Sequence, residues 1–393
     1  MIVLATVFYQ PAAAKTGSLL IWMKNKVYVM DIDSLLLVPI GAAGPDEVMA
    51  PAPGCSGKTE TPCWVIAGQY VYQISAERNG ILHETILPIG QNYSWLNAPV
   101  SWGPDGQLLA YFLRDTRRNQ AELQIYNATT DQIELTFPEV DSEVAAAWSA
   151  DCAAGLNAAG CQIAFKSAGP EGVQVAAFSP ATHETQRWDI PSEQIYELRW
   201  SFDKMLLYSD PPRHLHHVED NTSAYTLPPG GQLANMSPDA RYTVYYQPFT
   251  LKDCAEVDPS TCLNLGIWLY DRLDQAESAH LIYNRDLAIS NSEGLNFIPT
   301  WSARGDATVF FQDGRLIHYD LETKEATIWY KSVRGKLRSV PIFSPNEEAV
   351  AFVDNQGQGY SEYRLVVVNP KLQPVEHIIE TETGFRLLAW LPW

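Results

Sequence analysis

The chain has 393 residues, of which 46% are apolar and 11% aromatic, including 12 Trp, enough to build one large packed core. Its 46 acidic against 27 basic side chains give a formal charge of −19, a surface that repels phosphate backbones and argues against nucleic acid as a partner. No run of 18 or more apolar residues occurs, so no membrane-spanning helix is expected.

Taken in chain order, Met1–Ala14 admits two readings. It is either a shortened apolar signal segment ending in an A-x-A-like site, or a strand with Val3, Ala5, Val7 and Tyr9 on one face. Short alternating runs then follow throughout: strands are predicted at Ser18–Met23, 26–32, 35–40, 69–74, 108–113 and 123–126, and long helical periodicity is absent. Twenty-six Pro and 24 Gly are spread evenly, with no linker-like tract, which predicts many turns within a single domain.

The six cysteines form three close pairs, Cys55/Cys63, Cys152/Cys161 and Cys254/Cys262, each bracketing a turn-rich stretch. None has the C-x-x-C spacing of a zinc or redox site. Two cysteines flanking a hairpin loop can meet the separation a disulfide requires, so three disulfides and an oxidising, extracytoplasmic compartment are expected. That compartment is periplasmic, secreted or cell-surface.

A repeated motif sets the architecture. Its clearest copies are VSWGPDGQLLAYF at 100–112 and IFSPNEEAVAF at 342–352. Weaker ones are AWSAD at 147–151, RWSFD at 199–203, NMSPD at 235–239 and TWSAR at 300–304. The anchors Trp102, Trp148, Trp200, Met236, Trp301, Phe343 and Trp390 stand 36–65 residues apart, the length of a four-stranded propeller blade with variable loops. Pro-Asp-Gly supplies the tight turn after the first strand, and the aromatic before it is placed to pack between neighbouring blades. Over roughly residues 98–393 these repeats resemble the WD-like repeats of the TolB family of periplasmic β-propellers, which implies a fold and little about activity.

The expectation is therefore an all-β, single-domain propeller over 1–393 with eight four-stranded blades. They fall near 385–393 joined to 1–40, 46–90, 98–137, 144–190, 196–228, 232–283, 297–330 and 338–380, with strands from both termini closing the ring. Aligning Cys55 with Cys152 sets Pro51 opposite Trp148 and makes 46–90 a divergent blade; seven blades is the alternative if that segment is an insertion.

No chemistry-bearing motif stands out. G-x-S-x-G, H-E-x-x-H, a phosphate loop and EF-hand spacing are all missing, and no catalytic residue or metal ligand is assigned. His214 and His216 would share one face of a strand over 213–218, at a spacing compatible with metal, although a solvated outer-strand patch is the simpler reading. No cofactor is expected; Asp31 with Asp33, and Asp253 with Asp258, are the carboxylate pairs a calcium ion would use, with loop acidity the default. The expected function is non-catalytic binding of a protein or glycan partner, within a larger extracellular assembly. The alternative is a glycan-acting hydrolase or lyase with its site at the channel mouth. Partner contacts are placed on the loops joining second and third strands, 114–121, 166–172, 247–265 and 354–363. Arg114, Arg117, Arg118, Tyr360 and Tyr363 are the candidate residues, because Arg and Tyr are favoured at interface hot spots.

Overall fold

The computed structural model describes residues 17–56, 63–75, 80–169, 172–191, 195–209, 215–225, 232–250, 263–273, 282–284, 299–312, 314–331, 337–355, 362–381 and 384–391. Among them the chain is strand and turn, with two short 3-10 helices, Pro53–Ser56 and Ala150–Ala154, and no α-helix. None of it is helix long and apolar enough to cross a membrane. The chain divides into two compact units, one built from Lys15–Pro211 and Leu215–Ala224, the other largely from Tyr225–Trp390.

The first unit carries five antiparallel meanders. Meander I holds Ser18–Met23, Lys26–Asp31 and Leu37–Ala42, and meander II runs from Met49–Pro51 to Gly80–Ile86. Meander III runs from Tyr93–Trp95 to Gln132–Val140, and IV from Ala147–Trp148 to Glu184–Ile190, the two sharing a single bridge, Val140 to Ser167. Meander V runs from Glu197–Trp200 to Ser223–Tyr225. In the second unit, VI spans Gln232–Met236 to Ile282–Asn284, VII spans Thr300–Trp301 to Glu325–Tyr330, and VIII spans Leu337–Arg338 to Val375–Glu380, before a last strand, Phe385–Leu391.

The repeated motif works through its serine as much as through its turn residues. In VII, Ser302 N–H bonds Ala307 O at 2.9 Å, while its Oγ accepts from Asp306 N and Ala307 N at 3.1 Å and donates to the Asp306 carboxylate at 2.7 Å. Ser237 and Ser344 repeat this, their Oγ atoms accepting from Tyr242 N and Ala349 N at 2.9 Å. One buried hydroxyl thus satisfies the backbone groups that a four-residue turn would leave orphaned. The fourth residue past the anchor takes a positive φ in every such turn: Gly106 at 69°, Lys204 at 63°, Ala240 at 53°, Gly305 at 75° and Glu347 at 59°.

The anchors also stitch adjacent meanders together. The Trp102 indole donates to Ala50 O at 3.0 Å, Trp148 to Ser101 Oγ at 3.1 Å and Trp200 to Ala147 O at 3.3 Å. Each acceptor is the residue just before the preceding anchor, so Pro51 stands where Trp102 and Trp148 stand in their own meanders, in the register read from the cysteines. Each indole N–H thereby gains a partner on the preceding meander. Further out, the second strands carry a recurring buried aromatic, Tyr111, Phe165, Tyr208, Tyr245, Phe310 and Phe352, each at most 2% exposed. Gly41 is required where meanders I and II meet, because a Cβ there would overlap the Tyr72 ring.

Two disulfides occupy equivalent places. Cys55–Cys63 joins the turn between the first and second strands of II, and Cys152–Cys161 does the same in IV, with Cα separations of 4.5 and 4.4 Å. Cys254 and Cys262 lie outside the described residues, as do Met1–Ala14, Tyr360, His214, Asp253 and Asp258.

Several strand limits differ from the sequence reading. The predicted strand over 35–40 begins at Leu37, because Asp31 accepts from Ser34 N and Oγ at 2.7 Å and Leu35 turns at φ 57°. The second-to-third-strand loops are shorter than expected. Arg114 and Ala121 pair across a hairpin, Lys166 pairs with Val175, Gln247 with Gly266, and Asp354 with Arg364. In III the pairing continues to Asp115 and Gln120, since polar side chains on one strand face do not interrupt the ladder.

Candidate functional site

The hairpin joining the second and third strands of meander III, Leu108–Asp115 and Gln120–Asn127, gathers three of the five predicted residues. Arg114, Arg117 and Arg118 are all exposed there. The Asp115 carboxylate shapes the turn by accepting from Arg117 N at 2.8 Å and Arg118 N at 3.2 Å, and Asn119 closes it at φ 56°. Arg118 Nε lies 3.8 Å from Asp115 Oδ2, a loose ion pair. The guanidinium groups of Arg114 and Arg117 make no hydrogen bond or ion pair with the described residues.

Beneath this tip lies a buried polar chain. Tyr111 Oη donates to Gln124 Oε1 at 2.6 Å, Gln124 Nε2 donates to Glu122 Oε1 at 2.8 Å, and Tyr93 Oη donates to Glu122 Oε2 at 3.0 Å. Burial drives the Tyr111 hydroxyl well above the usual tyrosine range. The bond to Glu122 raises that of Tyr93. Both hydroxyls therefore stay protonated and donate, fixing the strands that present the arginines. In the neighbouring meander Lys166, 2% exposed, reaches Asp141 at 2.7 Å and Glu143 at 3.0 Å. Burial pulls its pKa down, but the two carboxylates reverse this and leave it above the ordinary lysine value. Lys166 is thus a neutralised strut rather than a free cation, despite its place in a segment read as loop.

Tyr363 belongs to the other unit. It sits on the strand Glu362–Val368, half-buried, paired with Asn355 and Ile379, with its ring 6.1 Å from that of Phe385. Burial raises its pKa. It therefore lies on a strand rather than in a loop as expected, and strand pairing turns it partly into the sheet. Close by is a buried ionic group that sequence reasoning missed. Arg364 bonds Asp354 directly and Glu376 Oε2 at 3.2 Å, and Tyr330 Oη donates to the same Glu376 carboxylate. An arginine in an alternating strand gives no sequence sign of burial.

The remaining candidates resolve differently. His216 lies on Leu215–His217, half-buried and stacked on Tyr208 with ring centroids 4.9 Å apart, rather than in a solvated patch. The phenol of Tyr208 covers it because the two residues are direct cross-strand partners, so their side chains share one face of the sheet. Asp31 is committed to Ser34 as above. Among the described residues no group of three His, Cys, Asp or Glu is placed to hold a metal ion.

No protein-family model matches the chain, and no curated protein does. Solved structures do. Dihydro-heme d1 dehydrogenase NirN in complex with DHE is similar over 97% of this chain and 77% of its own, at 12% identity and TM-score 0.55. A eukaryotic initiation factor is similar over 95% and 98%, at 10% identity and TM-score 0.51. TolB from Acinetobacter baumannii covers 93% of this chain and 78% of its own, at 12% identity and TM-score 0.35. At these identities the likeness is one of fold: the chain is a β-propeller.

Proposed function

We propose that the chain is a non-catalytic extracytoplasmic scaffold whose second-to-third-strand hairpins dock a protein or glycan partner. The observation that carries this is the exposed Arg114, Arg117, Arg118 cluster, raised on a hairpin braced by buried hydrogen bonds, in a chain of net charge −19. Exposed guanidinium groups present planar donors to carboxylate or sulfate groups, and the braced hairpin limits the backbone ordering that binding requires. Tyr360 and Tyr363 are the second contact group in this reading. The ring is read as eight blades, with the strand Phe385–Leu391 completing meander I, which holds three strands by itself. No calcium or other cofactor is assigned to this function.

The test is affinity capture from the extracytoplasmic fraction of the source cells. The Arg114→Ala/Arg117→Ala/Arg118→Ala chain should lose the partner that the wild type retains, and Tyr360→Ala/Tyr363→Ala should weaken its capture. The arginine changes should shift stability by no more than about 0.5 kcal/mol each, as for other exposed positions. Retention of the partner by the arginine variant, with loss only when the opposite hairpins are altered, would overturn the assignment.

Compartment follows from the cysteines. Buried disulfides at equivalent turns of II and IV support an oxidising environment, and the same reading pairs Cys254 with Cys262. Non-reducing peptide mapping of protein recovered from its native compartment should yield three bridged peptides and no free thiol; free Cys254 and Cys262 would contradict the third pairing.

A further inference from the structure

In five of the meanders the first connection is five or six residues long, but in IV it is expanded into the disulfide-closed segment from Ala150 to Cys161. The expansion builds one wall of a cleft of about 380 Å³, whose other wall is the first turn and third-to-fourth-strand connection of meander III. This is the end of the strands opposite the arginine hairpin.

The chemistry of the lining is specific. Asp105 Oδ1 is used by the N–H groups of Gln107 and Leu108 at 3.0 and 3.2 Å, which leaves Oδ2 uncommitted. Glu134 Oε1 accepts from Asn127 Nδ2 at 3.1 Å, leaving Oε2. Gln107 Oε1 accepts from Thr129 Oγ1 at 3.0 Å, so the carboxamide is oriented with its Nε2 donors unused. Asn157 adds a second carboxamide from the disulfide segment, and Leu156 beside it supplies an apolar surface. No basic side chain lines the cleft.

We propose that this cleft is a binding subsite for an amino-sugar unit. Its volume suits a single pyranose ring, at the low end of ordinary ligand sites. The uncommitted carboxylate oxygens of Asp105 and Glu134 and the Gln107 carboxamide donors, pre-oriented by their own hydrogen bonds, match the alternating donors and acceptors of vicinal hydroxyls. Two carboxylates without a counter-cation favour an ammonium substituent and repel a phosphate or uronate. The disulfide holds the far wall in place, so little ordering is required on binding. The site is separate from the arginine hairpin and stands whether or not that hairpin docks a partner.

Saturation-transfer NMR and calorimetry with glucosamine, glucose, glucose 6-phosphate and propylamine test it, at a slightly acidic pH where the amine is protonated. Glucosamine should bind saturably and more tightly than glucose, with glucose 6-phosphate and propylamine weaker than both. Glu134→Gln should weaken glucosamine by about tenfold, the scale of a charge-assisted hydrogen bond, and leave glucose less affected. Leu156→Trp, which fills the cleft, should remove sugar binding without changing the melting temperature, and Arg117→Ala should change nothing. Absence of saturable transfer to any sugar, full binding by Leu156→Trp, or propylamine binding as tightly as glucosamine would each overturn the proposal.

Discussion

Replacing Arg364 by Ala should destabilise the protein by about 3–5 kcal/mol, the cost of stranding a buried charge without its partner. Asp354 is 0% and Arg364 4% exposed, and the two are direct cross-strand neighbours on meander VIII. Arg364 also reaches Glu376, which in turn receives the Tyr330 hydroxyl from the outer strand of meander VII. The guanidinium therefore neutralises one carboxylate and orients a second. Truncation leaves Asp354 to protonate or to draw in water. The double variant Arg364→Met/Asp354→Leu removes both charges and keeps the volume, so it should cost far less than Arg364→Ala and fall within about 1–2 kcal/mol of the wild type, as for other buried pairs replaced by apolar residues. Denaturant unfolding of the three chains separates these outcomes. An Arg364→Ala loss below about 1 kcal/mol, the range of solvent-exposed pairs, would show that the group is wetter than its burial implies.

The sequence was most legible where local chemistry and architecture coincide. Ser302, Ser237 and Ser344 each follow an anchor directly, so one short string carries strand end, hydroxyl cap and turn together. Cysteine spacing was equally direct: a bridge closing a short loop needs no information from elsewhere in the chain, and it placed Pro51 opposite Trp148 before any strand was seen. What escaped was set by distant partners. The buried aromatic of the second strand follows its anchor by nine residues in III, VI, VII and VIII, but the disulfide segment pushes Phe165 seventeen residues beyond Trp148 and hides the match. Lys166 reads as a loop cation, yet its environment is made by Asp141 and Glu143, more than twenty residues earlier. The cleft beside the meander IV loop was likewise unreadable, because its walls come from turns about fifty residues apart. The arginine hairpin was found because a cationic cluster in an acidic chain is visible in composition alone, whereas Tyr363 was misplaced because strand length at a hairpin tip is decided by pairing.

The second large effect is expected at the aromatic repeat. Phe352 is fully buried, its ring meeting Phe311 edge-on at 5.1 Å and Tyr330 at 5.9 Å, so that rings from meanders VII and VIII share one cluster. Phe352→Ala should cost about 3–5 kcal/mol, the lost transfer free energy plus the cavity that flanking strands cannot close. Phe352→Leu keeps most of the volume and should cost about 1.5 kcal/mol or less. Ile328→Ala, on the outer strand at 41% exposure, should stay within about 0.5 kcal/mol and serves as the internal reference. Tyr111 occupies the same repeat position but donates a hydrogen bond to Gln124, so Tyr111→Phe leaves a buried acceptor unpaired and should cost about 1–3 kcal/mol without any loss of volume. Thermal and denaturant unfolding of the four variants would rank them Phe352→Ala, Tyr111→Phe, Phe352→Leu, Ile328→Ala. If Phe352→Ala were no more costly than Ile328→Ala, the second-strand aromatics would not be holding neighbouring meanders together, because ring-to-ring contact across that boundary is the whole basis of the expected loss.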